Sequence, residues 1–103
     1  MQLYNKLSAK ERSELIDEAG KNRLTLSFYK YAKIGNPQVF RDHLFITWNA
    51  LDVLGRIYVA HEGINGQLSL PADRFNEFKA HLDSISFLEG IRLNIAIEQD
   101  NKS

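Results

Sequence analysis

From Leu24 onward the apolar residues change period four times, and that alternation constrains the fold more than any single motif. "RLTLSFYKY" alternates, with Leu24, Leu26 and Phe28 on one side and Thr25, Ser27, Tyr29 and Tyr31 on the other. This is the period of a strand with one apolar face. "GNP" interrupts it. Asn36 suits an N-cap and Pro37 the first helical position, where no amide donor is required. Phe40, Leu44, Trp48 and Leu51 then recur at helical spacing. Period two returns in "RIYVA" and, after a polar loop, in "QLSL". Pro71 opens a second helical stripe of Phe75, Phe78, Leu82 and Ile85, and "IRLNIAI" alternates again.

The resulting order is βαββαβ. It predicts an α+β, ferredoxin-like sandwich, with a four-stranded antiparallel sheet and two helices on one face. Right-handed crossovers place the first and third strands at the centre. Ser8 and Glu11 have capping-box spacing ahead of Leu15, Ile16 and Ala19, with Gly20 as a stop, so an extra N-terminal helix is expected. The domain reading is a helical extension at 1–22, the sandwich at 23–98 and a polar tail at 99–103. The expected core is Leu26, Phe28, Phe40, Leu44, Ile57, Val59, Leu68, Phe75, Phe78, Leu82, Leu93 and Ile95.

Composition narrows the chemistry. At 103 residues, folding buries roughly 65% of the unfolded chain's surface. The absence of cysteine excludes disulfides, thiolate metal sites and a sulfur nucleophile. Thirteen basic residues balance thirteen acidic ones, so polyanion contact needs a local patch. No apolar run approaches the ~20 residues that span a bilayer, and the charged N-terminus is unlike a signal peptide. A soluble cytoplasmic protein without membrane contact is the expectation.

The loop "AHEGINGQ" holds His61, Glu62, Gly63, Asn65 and Gly66. It reads as a hairpin in which Gly63 or Gly66 supplies φ > 0, with a catalytic role as the competing reading. It lacks the pattern of a P-loop. His43, His61 and His81 have no metal-ligand spacing, so no metal site is expected. No Ser-His-Asp set or GxSxG elbow is present, and no catalytic residue is nominated.

The face away from the helices carries Tyr29, Tyr31, Tyr58, Arg56 and Arg92, with Lys30 and Lys33 at its rim. Aromatic residues and arginines on an exposed four-stranded sheet are suited to stacking RNA bases. They equally suit an interface with another domain, which the zero net charge slightly favours.

Three segments, "LSFYKYAKIGNPQVFRD", "LGRIYVAHEGINGQLSLP" and "LEGIRLNIAI", resemble the N-terminal domain of the YceA/TrhO family of rhodanese-domain tRNA uridine hydroxylases. The resemblance runs from about Leu24 to Ser103. It implies oxygen-dependent hydroxylation of tRNA uridine 34, with the family's proposed catalytic cysteine in a following rhodanese domain. The chain thus looks like an isolated N-terminal domain, inactive alone and holding no cofactor of its own. Its implied partners are tRNA and the rhodanese domain of the same chain; oligomeric state is unassigned. The function expected is RNA binding or scaffolding, and the alternative is a domain-docking or dimer module. Acylphosphatases share the topology, but their glycine-rich anion loop after the first strand is here "KYAKIGNP", with one glycine and no arginine.

Overall fold

The computed structural model describes residues 22–97 together with Leu3, Tyr4, Lys10, Glu14 and Asp17. Apart from those last three positions, the expected N-terminal helix lies outside the described residues, as does the tail at 99–103. The elements are β1 (Leu3–Tyr4), β2 (Arg23–Tyr31), α1 (Pro37–Asn49), β3 (Leu54–Ala60), β4 (Gly63–Pro71), α2 (Phe75–Ser84) and β5 (Asn94–Ile97). Single 3₁₀ turns at Ala72–Arg74 and Ser86–Leu88 flank α2.

The sheet is antiparallel throughout, in the order β1-β5-β2-β4-β3. The four expected strands therefore pair as predicted, with β2 and β4 central. The two-residue β1, which no periodicity announced, adds a fifth strand outside β5.

Asn36 caps α1 by accepting the Val39 amide hydrogen at 3.1 Å, and Pro37 occupies the first turn. Leu44 and Trp48 turn inward from α1, and Phe75, Phe78 and Leu82 from α2. They meet Leu24, Leu26 and Phe28 of β2 and Leu68 and Leu70 of β4. Nine of the twelve expected core residues are buried; Phe40, Ile57 and Val59 are only half-buried. Ile57 and Val59 are on β3, an edge strand with a neighbour on one side only. Trp48 is the largest of the core residues missing from the expected set, which also omits the buried Leu24, Ile34, Ile64, Leu70 and Leu88. Its ring packs on Phe78 at 5.0 Å and edge-on to Phe28 at 6.4 Å.

Two strand expectations need correction. "IRLNIAI" pairs only from Asn94 to Ile97, so Arg92 precedes the strand instead of lying within it. The glycine loop is also not the hairpin turn. Ala60 pairs with Gly63, leaving His61 and Glu62 as a two-residue connection, and "GINGQLSLP" is continuous strand. Neither Gly63 nor Gly66 has positive φ, so the turn argument for them fails. Their need for glycine is steric instead. A Cβ on Gly66 would lie 2.7 Å from the Phe28 ring, which covers that position. On Gly63 it would strike the Lys30 carbonyl oxygen of the adjacent strand.

Candidate nucleic-acid interface

Strand register sorts the open face into rows. Tyr31, Gly63 and Ala60 form the row nearest the hairpin tip. Tyr29, Asn65 and Tyr58 form the next, followed by Asn94, Ser27, Gln67 and Arg56. Alternation puts all of these on the side opposite Leu26, Phe28 and Leu68. Tyr29, Tyr31 and Tyr58 are 67%, 77% and 70% exposed, unusual for residues that carry so much apolar surface. The Tyr29 and Tyr31 rings meet edge to face, 5.8 Å apart. Together with Tyr58 and Asn65 they border a groove of about 200 Å³, whose lining also includes Gly63 and Glu62. A shallower depression of about 390 Å³ occupies the other half of the face, among Thr25, Ser27, Gln67 and Ser69.

The cations are available. Ion pairs among the described residues engage Arg23, Arg74 and Lys79. Arg56 and Arg92, both exposed, make none there, and neither do Lys30 and Lys33. The structure does not gather all seven expected residues on one surface. Tyr29, Tyr31, Tyr58 and Arg56 share the open face. Lys30 pairs with Ile64 in the opposite alternation, Lys33 follows β2, and Arg92 precedes β5 without a strand partner. Arg23, which also alternates onto this side, is occupied: its guanidinium donates to the Ser69 Oγ and carbonyl and to the Asp52 carbonyl.

The hairpin tip is tied back to the chain beyond β2. The Ala32 amide donates to the Glu62 carbonyl and the Ile34 amide to the His61 carbonyl, each at 3.0 Å. His61 Nδ1 sits 3.1 Å from the Ile34 carbonyl oxygen. His61 therefore braces the tip, and a backbone anion cradle at residues 32–36 would lack two of its amides.

A second polar group escaped sequence reasoning. The Trp48 indole N–H donates to His81 Nδ1 at 2.9 Å, and His81 Nε2 lies 3.4 Å from His43 Nε2. The two histidines are 38 positions apart, but each lies beside the inward stripe of its helix, which is the signal that could have joined them. Burial, and then the proximity of His43, lower the His81 pKa below its usual 6.5. A proton on Nδ1 would also remove the acceptor that Trp48 uses. A depressed folded-state value means that the unfolded chain binds the proton more readily. The His81 contribution is therefore full above pH 6.5 and is lost as pH falls through the folded value. Denaturation midpoints measured from pH 7.5 to 5 should decline in this window, and His81→Gln should flatten that part of the decline.

Among the described residues no three His, Asp or Glu side chains converge, and no helix is long and apolar enough to cross a membrane. Residues 23–102 match the UPF0176 acylphosphatase-like domain. The chain belongs to this family. It is 46% identical over 102 residues to a tRNA uridine(34) hydroxylase of Hamiltonella defensa, and 45% identical to those of Escherichia coli O127:H6 and Salmonella typhimurium. Each match covers 98% of this chain and 29% of the relative, so the UPF0176 domain here spans under a third of those proteins' length. The loop after β2 gives two of its amides, those of Ala32 and Ile34, to the hairpin tip.

Proposed function

We propose that this domain is the N-terminal, RNA-holding part of a tRNA uridine(34) 5-hydroxylase. The observation that carries the proposal is the tyrosine-rich open face with Arg56, which makes no ion pair among the described residues, beside it. Exposed rings accept bases of any identity by stacking, and an unpaired guanidinium accepts phosphate. Oxygen-dependent hydroxylation would be carried out outside these 103 residues, which contain no cysteine. A following rhodanese-type domain, as the sequence resemblance implies, is the candidate. In this scheme the domain adds no cofactor and acts by positioning tRNA.

A docking role has its own support on a different surface. Phe45 and Ile46 of α1 and Leu54 of β3 are 68%, 71% and 58% exposed. Phe45 and Leu54 border one depression beside the open edge of β3. Contact with another domain there would leave the tyrosine face free.

The test uses the longer protein that contains this domain. Tyr29→Ala combined with Arg56→Ala should weaken tRNA binding by about 1–3 kcal/mol for a lost stacking ring. It should also reduce the salt slope by about one for the lost phosphate contact. Both side chains are exposed, so thermal stability should hardly change. Lost stability with unaltered tRNA affinity would instead assign the face to domain docking.

A further inference from the structure

We propose that the groove over Gly63 and Asn65 clasps one unpaired nucleobase, with Tyr58 on one side and Tyr29 and Tyr31 on the other. This rests on the RNA-binding function proposed above and specifies how a single nucleotide is held. Tyr29, Asn65 and Tyr58 occupy one row across three adjacent strands. With strands about 4.8 Å apart, the two tyrosine backbones are roughly 10 Å apart. Two van der Waals contacts of about 3.5–4.0 Å take up most of that span, leaving room for one planar ring system and not two. The next row stays open because Gly63 has no side chain and Ala60 only a methyl. At about 200 Å³ the groove is smaller than the ~300–1,000 Å³ of drug-sized pockets, consistent with a single base.

Asn65 forms the floor. Its side chain is exposed and makes no hydrogen bond among the described residues. A carboxamide offers a donor and an acceptor side by side. The Watson–Crick edge of every base presents an adjacent donor and acceptor, and one of the two amide orientations matches each. Asn65 therefore anchors a base without selecting its identity. Charge sets the direction of entry. The groove lining carries one charge of each sign, Glu62 and Lys30, which offset each other, while Arg56 one row further along adds an attraction for phosphate. The sugar-phosphate chain therefore passes on the Arg56 side, with the base turned toward Gly63.

Isothermal titration of the 103-residue chain at low salt tests this with three probes: pentauridylate, pentaadenylate, and a pentanucleotide of equal charge with abasic sugars. The two base-bearing probes should bind at least tenfold more tightly than the abasic one and within a few-fold of each other. Tyr58→Ala should weaken pentauridylate binding about tenfold and leave abasic binding unchanged. Asn65→Ala should weaken both base-bearing probes alike, and Arg56→Ala should weaken all three. Equal binding of abasic and base-bearing probes, with Arg56→Ala still weakening both, would overturn the base clasp and leave the RNA surface standing. Absence of binding by all three probes, or indifference to every one of these substitutions, would overturn the RNA surface and the clasp with it. Circular dichroism of each variant checks that the fold is retained, which exposed positions should allow.

Discussion

Replacing Phe78 with alanine should destabilise the domain by about 3–5 kcal/mol, a large part of the ~5–15 kcal/mol that holds a domain of this kind together. Phe78 is completely buried and lies against the Trp48 ring at 5.0 Å, at the contact between the two helices. The cavity left behind would be bordered by rigid rings and by β-strand residues on the sheet below, so little can collapse into it. Trp48 is the chain's single tryptophan, and its emission gives a local probe of the loss. Urea denaturation followed by that emission should show a lower midpoint for Phe78→Ala. Retention of most of the stability would mean that the core does not centre on the α1–α2 contact.

Gly55→Ala should be nearly as damaging, although it adds only one methyl. Gly55 has φ +124°, a region that side-chain-bearing residues rarely enter. Its Cβ would collide with the Gln67 carbonyl oxygen and lie 2.9 Å from the Leu68 Cα. Both obstacles are backbone of the central strand β4, so neither can swing aside. Strain of about 1–3 kcal/mol from the dihedral adds to the cost of overpacking. The cheapest response is for β3 to separate from β4 around Gly55. Amide exchange should therefore accelerate along the β3–β4 ladder in this variant while the β2–β5 ladder remains protected. Unchanged protection of β3 would show that the strand tolerates a side chain there.

How much of this was legible follows from which residues speak through local periodicity. Leu24, Leu26 and Phe28 declared a strand and its buried face, and Asn36 and Pro37 declared the start of α1, because these signals need only neighbours in sequence. Alternation likewise assigned Tyr29, Tyr31 and Tyr58 to the correct side of the sheet. Asn65 and Gly66 misled for the converse reason. Asn-Gly is favoured in turns by its own conformational freedom, but here Gly66 is required by the Phe28 ring, 38 residues away in sequence. The actual turn residues, His61 and Glu62, have no such signature. They are fixed by carbonyl contacts to Ala32 and Ile34. "IRLNIAI" shows a further limit: alternation records which side chains turn inward, while a ladder also needs a partner strand, and β2 supplies one only from Asn94 onward. The contact of His43 with His81 depends on how the two helices pack, and the only local hint of it is that each histidine lies beside the inward stripe of its own helix.

The bonds from Ala32 and Ile34 to the hairpin tip make the aromatic end of the sheet a closed frame. The β2–β4 ladder already runs unbroken from the pair Arg23 and Pro71 to the pair Tyr31 and Gly63 and sets the separation of Tyr58 from Tyr29, and these bonds carry the fastening past Gly63 into the turn. With them, the end of β2 and the turn are fastened to each other at the point farthest from the strands' other ends. A frame so fastened keeps the spacing between its walls before anything enters. A flat guest then loses mainly its own freedom of motion, and the host has little entropy left to surrender.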